Sequence, residues 1–190
     1  MSGQVADVWA NAWPAGFFAA QPQLAALYAR LRMEPRTRLT AEDIAREARG
    51  AGVTRVVISA TAFPGSPADN RAVAELVAAA PDLFTGCASV DPREGMAAVR
   101  ELRRAVREDG LRGLKLLPFL YGLPPDDAIY YPLYAACIDL DIPALVLTGH
   151  TAVRERNALG RPQHLDAVAL HFPELHLVAV AYAERGDPEK

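Results

Sequence analysis

Apolar runs recur along this chain at a regular interval of about thirty residues. Five of them begin near Thr54, Phe84, Gly113, Pro143 and Leu175, and a segment with helical periodicity separates each run from the next. Repeated strand–helix units of this kind build one parallel sheet. Such sheets carry their chemistry beyond the carboxyl ends of the strands, so the residues that follow each run are the ones to inspect.

The pattern predicts six strands and the helices between them. The predicted strands are Val5–Trp9, Val53–Ala60, Phe84–Val90, Gly113–Leu120, Pro143–Thr148 and Leu175–Tyr182. The predicted helices start near Pro22, after Thr40, at Asp69, after Asp91, at Tyr130 and at Pro162. Thr40 and Asp43 have the spacing of a capping box in which Asp replaces the usual Glu. Asp91, which precedes Pro92, is read as the N-cap of the long helix that ends near Glu108.

Six strands are compatible with two α/β architectures. One is an open three-layer parallel sheet, and the other is part of a (β/α) barrel. A complete barrel needs about 250 residues, so the spacing alone favours the open sheet. We find no linker or low-complexity tract, and residues 1–190 are predicted to form a single domain.

Composition narrows the class of protein. The chain has 190 residues, 51% of them hydrophobic, which is enough to bury one substantial core. The net charge is −3, and the arginines of residues 100–107 alternate with acidic residues on one helix, so we predict neither a nucleic-acid nor a membrane partner. Cys87 and Cys137 are predicted to be reduced core residues, and with no convincing targeting segment a cytoplasmic location is expected.

Several short motifs occur in a particular order. They are Asp7–Asn11, Gly110–Pro118, Tyr130–Tyr134, Thr148–Thr151, Gly160–Pro162 and Phe172–Leu175. Together they resemble the amidohydrolase-related family, in the branch of aminocarboxymuconate-semialdehyde-decarboxylase-like enzymes. The resemblance runs from about Val5 to Val180. It implies a TIM-barrel-like (β/α) fold that is incomplete, with about six strands, and a hydrolase or decarboxylase acting on a small carboxylated substrate, aromatic acids included.

The family also implies a divalent metal ion such as zinc, but its ligands are mostly absent here. Trp9 and Asn11 occupy the positions of the family's His-x-His pair on the first strand, and neither side chain is a good zinc ligand. The histidine of strand six would fall near Ala181. His150 is displaced from the strand-five ligand position near Leu147. We therefore predict no metal held by three or more side chains, and no cofactor is assigned.

Three residues are candidates for catalysis. His150 follows Thr148-Gly149 after the fifth strand and is read either as a general acid/base or as a hydrogen-bonded loop histidine. Lys115 interrupts an apolar strand and either binds a substrate carboxylate or reaches the surface. Asp7 is expected to pair with Lys115 across the interior or to take part in catalysis, and all three are predicted to converge.

Four further residues are predicted to contact a small-molecule substrate. They are Trp9, Asn11, Tyr130 and Tyr131, and packing is an equally good explanation for the two tyrosines. The alternative to an enzyme is a catalytically degenerate barrel fragment that binds a ligand or a protein partner. A barrel wall of six strands also leaves the first and last strands unpaired. Either two chains close each other's gap, or Ala183–Lys190 and Ala10–Met33 fold over it. Because the tail is short and charged, a homodimer is favoured.

Overall fold

Six parallel strands form one sheet in sequential order. The structure is a computed structural model that describes residues 5–11, 28–29, 32, 40–65, 69–149 and 156–182, with backbone only for 181 and 182. The strands are β1 (Ala6–Asn11), β2 (Arg55–Ser59), β3 (Phe84–Ser89), β4 (Leu114–Leu116), β5 (Ala144–Gly149) and β6 (Leu177–Tyr182). Each strand pairs with the next in the chain. This is the strand order of a barrel wall, as the family resemblance implied.

Sequential order and right-handed crossovers together place the helices on one face of the sheet. The helices are α1 (Ala41–Gly50), α2 (Asn70–Ala79), α3 (Met96–Arg107), α4 (Pro118–Tyr121), α5 (Tyr131–Asp139) and α6 (Gln163–His171). The sheet curls into a half-barrel, as the barrel prediction required, and the open three-layer alternative is wrong. None of the described helices is long and apolar enough to cross a membrane.

Local sequence signals fix most helix starts. Thr40 and Asp43 form the predicted capping box at the start of α1, with Asp43 N–H donating to Thr40 Oγ1 at 3.1 Å. Asp69 accepts from Ala72 N–H at the start of α2. Asp91 is a cap as predicted, but it caps a 3-10 turn, Pro92–Glu94, which ends before α3 begins.

The fourth strand is shorter than predicted. It ends at Leu116 instead of Leu120, because Pro118 opens the short helix α4. Proline has no backbone N–H to donate to a ladder, and its fixed φ suits the first turn of a helix. The apolar character of residues 117–120 reflects burial, which strand and helix share.

The core lies between the sheet and the helices. Side chains of the outer sheet face are fully buried and pack in one cluster with the helices; they include Ile58, Ala88, Leu114, Leu116 and Val146. Alternation along each strand sends the intervening residues to the opposite, concave face. That face carries polar groups at the ends of the strands, among them Ser59, Ser89 and Lys115.

Several predicted features lie outside the described residues. They are most of the helix predicted to start near Pro22, the loop that contains His150, and the tail 183–190.

Candidate functional site

A buried lysine is the centre of the polar site at the carboxyl ends of the strands. Lys115 is 0% exposed. Its Nζ donates hydrogen bonds to Asn11 Oδ1 at 2.6 Å and to Thr61 Oγ1 at 2.7 Å. The same nitrogen lies 5.3 Å from the centroid of the Trp9 ring, within range of a cation–π contact. Groups from β1, from the end of β2 and from β4 therefore converge on one amine.

The pleat and curl of the sheet account for this convergence. Leu114 and Leu116 face the helices, so Lys115 between them faces the concave side. Two strands separate β4 from β1, which in a flat sheet corresponds to about 14 Å at the usual strand spacing. The contact between Lys115 and Asn11 bridges that distance because the sheet curls.

Burial lowers the pKa of Lys115 to about 7, because the charged form loses its hydration. Within the described residues, no carboxylate lies within ion-pairing distance of its amine to offset that loss. Asn11 Oδ1 is only an acceptor, so its hydrogen bond favours the protonated amine. The amine is thus divided between its charged and neutral forms near neutral pH.

A network of buried hydrogen bonds holds the surrounding loops in place. Ser89 Oγ, at the end of β3, donates to Lys115 O at 3.3 Å and accepts from Ala62 N–H at 3.0 Å. Tyr121 Oη lies 2.9 Å from Ala62 O and 3.2 Å from Val90 O. These contacts tie the ends of β2, β3 and β4 together and so position Thr61 beside the lysine.

The two cysteines are unsuited to nucleophilic chemistry. Both are free and buried, as the sequence predicted. Burial raises the pKa of Cys87 to about 11 and that of Cys137 to about 12, so both stay protonated thiols at neutral pH. The thiolate is the reactive form of cysteine.

The predicted pairing of Asp7 with Lys115 is wrong. Asp7 is exposed, and its carboxylate accepts a hydrogen bond from Trp9 N–H at 3.0 Å. The register of β1 shifts between Asp7 and Ala10, where Asp7 pairs with Val56 and Asn11 with Ser59. Val56 and Ser59 are three residues apart and face opposite sides of the sheet. The irregularity thus puts Asp7 on the opposite side from Asn11, which simple alternation along β1 would not do.

The two predicted substrate tyrosines make packing contacts. Tyr130 is 0% exposed, its hydroxyl donates to Leu123 O at 3.2 Å, and its ring stacks on Tyr134. Tyr131 contacts the rings of His171 and Phe172, between α5 and α6. Neither tyrosine makes a hydrogen bond or ring contact to Lys115 in the described part of the chain. Both make the contacts of the packing alternative, and their contact with a substrate stays a prediction.

The histidines divide into one candidate and three others. His150 lies outside the described residues, so its predicted convergence with Lys115 stays a prediction. His164 lies 3.0 Å from Asp126 and from Ala158 O, and His171 bonds to Ala167 O within its own helix. His176 is exposed. These three histidines therefore take surface or packing positions.

Sequence reasoning missed Thr61, Ser89 and Tyr121. Thr61 and Ser89 carried a usable signal, since each is a hydroxyl residue at the carboxyl end of an apolar run. Tyr121 carried none, because residues 117–121 were assigned largely to a strand.

Comparison with known proteins places this arrangement in a family. The sequence profile of the amidohydrolase family matches residues 6–180. The chain belongs to the amidohydrolase family. It is 30% identical over 122 residues to a 2-keto-4-carboxy-3-hexenedioate hydratase of Sphingobium sp. strain SYK-6, a match that covers 60% of this chain and 36% of the hydratase.

Solved structures share the fold. An uncharacterized TIM-barrel protein from Bordetella bronchiseptica is 26% identical, with a TM-score of 0.72 over 93% of this chain and 66% of that one. A 5-carboxyvanillate decarboxylase from Novosphingobium aromaticivorans, solved with bound manganese, has a TM-score of 0.74 at 14% identity, over 94% of this chain and 66% of that one. The chain spans about two thirds of the length of these structures.

The residues described here do not fit a divalent metal ion of the kind bound by that decarboxylase. Within the described ranges, no three His, Cys, Asp or Glu side chains lie close enough to hold one. The amine of Lys115 instead lies against both Trp9 and Asn11, which the family resemblance aligns with first-strand metal ligands. Two unit charges 4 Å apart repel by about 4 kcal/mol at an effective dielectric constant of 20, and a divalent ion doubles that cost.

Proposed function

We propose that this chain acts on a small carboxylated compound, in a decarboxylase, hydratase or hydrolase reaction, with Lys115 binding the substrate carboxylate. The observation that carries the proposal is the buried amine of Lys115, which has no carboxylate partner among the described residues. A buried cation without a counter-ion is costly, and a bound carboxylate would supply the missing charge. The hydratase and the decarboxylase named above both take their names from carboxylated compounds, which supports the same substrate class.

The hydrogen-bond geometry fits an acceptor ligand. A protonated amine has three N–H donors, and two of them are directed to Asn11 and Thr61. Among the described residues none accepts from the remaining N–H, which we assign to a substrate oxygen. The Trp9 ring beside the amine offers a flat apolar surface, which suits an aromatic or other planar acid.

His150 is proposed as the general acid/base of the reaction. It follows Gly149, the last residue of β5, so its place in the sequence is at the carboxyl end of a strand in the same sheet. An imidazole changes its charge near neutral pH and can therefore donate or accept the proton that decarboxylation or hydration requires.

Turnover assays with matched lysine variants test this proposal. The chain has two lysines, Lys115 and Lys190. Purified protein would be incubated with hydroxybenzoates and with unsaturated 2-oxo dicarboxylates, with product formation followed by liquid chromatography. We expect turnover of at least one acid, lost by at least 100-fold in Lys115→Met and retained in Lys190→Met. Equal turnover in both variants would exclude Lys115 from the site.

The second candidate is a ligand-binding barrel without catalysis. The replacement of both first-strand ligand positions by Trp9 and Asn11 favours it. In that case the same acids would bind in a way that depends on Lys115, but no product would form. Replacing His150 with Gln separates the two candidates, because it would reduce the rate in the enzyme and change nothing in a pure binding protein beyond affinity.

A further inference from the structure

The position of the Lys115 amine bears on how this site holds an anion. It donates to Asn11 and lies over the Trp9 ring, so it lies against both side chains that replace the first-strand ligands. Asn11 and Thr61 present neutral oxygens to it, and a protonated amine seeks such acceptors as a metal ion would. The place of a cation in this site is thus occupied by a side chain of the chain itself.

The surrounding charges are consistent with that role. The nearest titratable group from a neighbouring strand is the Cys87 thiol, which burial keeps protonated. The carboxylate of Asp91, beyond the end of β3, forms an ion pair with Arg93, with 2.6 Å between Oδ2 and Nη2. Trp9, Asn11 and Thr61 carry no charge. The described residues therefore offer Lys115 no anion, and they offer a divalent ion no anionic ligand either.

We propose that the Lys115 ammonium group takes the place of the divalent cation in this site, so that carboxylates bind against it without any metal ion. The inference rests on the proposed function for the identity of the ligand, but its claim about the cation is separate. One positive charge is already present where a metal would bring two. A metal ion and the protonated amine would exclude each other by repulsion.

A set of four proteins tests the mutual exclusion directly. They are the wild type, Lys115→Met, the double variant W9H/N11H, which restores the two imidazoles, and the triple variant W9H/N11H/K115M. Zinc affinity would be measured for each by isothermal titration calorimetry at pH 7. We expect the triple variant to bind zinc at least tenfold more tightly than the double variant. Equal affinities in these two proteins would overturn the proposal, as would one tightly bound zinc per wild-type chain.

Ligand binding supplies the second arm, with benzoate as the probe. We expect its dissociation constant in the wild type to be the same in EDTA and in added manganese, and to rise at least tenfold in Lys115→Met. A requirement for manganese would overturn the proposal. Absence of benzoate binding under every condition would count against the proposed substrate class, while the zinc comparison would still decide the question of the cation.

Isotope labelling of the lysines gives a test on the wild-type protein, which is needed if a variant fails to fold. Because the chain has two lysines, protein labelled with ¹³C-lysine gives two Cε signals, and Lys115→Met assigns them. In the wild type we expect benzoate to shift the Lys115 signal and stoichiometric zinc to leave it unchanged. A zinc-induced shift at Lys115 that saturates at one equivalent would contradict the proposal without any variant at the site.

Discussion

At the residue scale, the burial of Lys115 opposes folding in the place where we propose that it binds substrate. Its buried amine has a pKa near 7, well below the ordinary value of 10.5. Between those two pH values the unfolded chain binds a proton that the folded chain does not, so the lysine destabilises the fold most at acidic pH. Proteins commonly lose some stability when a functional group is kept in an unfavourable, buried position.

The first prediction follows from this dependence of stability on pH. The free energy of unfolding of the wild type should rise as pH increases from 7 to 9, by roughly 1 kcal/mol per pH unit from this group. Lys115→Met should lack that rise. At pH 6 this variant should be more stable than the wild type, although the loss of the hydrogen bonds to Asn11 and Thr61 reduces the difference. Urea titrations at several pH values would show it. Parallel curves for the two proteins between pH 7 and 9 would contradict it.

Anion binding should depend on pH in the opposite direction. Carboxylates need the charged amine, so affinity for benzoate should decline as pH rises above 7, approaching tenfold per pH unit. The thiol of Cys87, with its pKa near 11, does not titrate in this range. Calorimetry from pH 6 to 9 would measure the effect, with Cys87→Ala as the control that keeps the same profile. A flat profile would contradict an ammonium anchor.

At the scale of elements, close backbone contacts and buried hydrogen bonds hold the site's supports together. Gly160, at the end of a 3-10 turn after β5, comes so close to Gly149 that a Cβ would lie 2.6 Å from the Gly149 carbonyl oxygen. Backbone cannot move aside as a flexible side chain does. Glycine is therefore required where this turn meets the end of β5, at the residue that precedes His150 in the sequence.

Gly160→Ala should accordingly destabilise the chain by about 1–3 kcal/mol, the range for overpacking of a tight site. Gly50→Ala is the matched control, because nothing lies within 4 Å of a Cβ at Gly50 and its φ is ordinary for a helix. That control should be neutral or slightly stabilising. Thermal unfolding of the two variants tests the difference, and equal melting temperatures would show that the turn adjusts freely.

Asn70 joins α2 to β3 through buried hydrogen bonds. Its Oδ1 accepts from Ser89 N–H at 2.9 Å, and its Nδ2 donates to Glu101 Oε1 at 2.8 Å. Ser89 is the residue that also bonds Lys115 O. The helix therefore holds the end of the strand beside the site.

Asn70→Ala should cost about 1–3 kcal/mol, because it leaves the buried N–H of Ser89 without its acceptor. Asn157→Ala, at an exposed position, is the matched control and should change stability by less than about 0.5 kcal/mol. Chemical denaturation would measure both. An equal, small effect in the two variants would mean that water replaces the lost contact.

At the scale of the whole molecule, the described sheet has apolar side chains exposed near both outer strands. Val5, just before β1, is 52% exposed, Val8 within β1 is 57% exposed, and Val178 on β6 is 41% exposed. Each of these two strands has one described neighbour. Unpaired strands with exposed apolar side chains readily associate.

We therefore predict that this chain forms a homodimer through its outer strands. Light scattering at micromolar concentration should give twice the mass of the chain, and Val178→Lys should weaken association by at least tenfold. Leu170→Lys is the matched control, since Leu170 is 82% exposed on α6, away from the strand edges. A monomer mass for the wild type, or an equal effect of both substitutions, would contradict the prediction.

Sequence pattern predicted most elements because their signals are local. The capping box at Thr40, the cap at Asp91 and the interval between apolar runs each depend on residues close together in the chain. The end of β4 was misplaced because burial of residues 117–120 looks the same in a strand and a helix. Lys115 stood out as a charge in an apolar strand, while its partners Thr61 and Asn11 are 54 and 104 residues away from it in sequence.

The sequence by itself determined the parallel strand–helix order, the family and the absence of histidine from the first strand, since each is a matter of residue type and spacing. Tertiary structure alone decided which charge occupies the site. Register and curvature bring Lys115 to Asn11, and a one-residue irregularity in β1 sends Asp7 to the other face. Side-chain direction in a strand reverses with every residue, so a single shift changes which groups meet, and no local pattern records it.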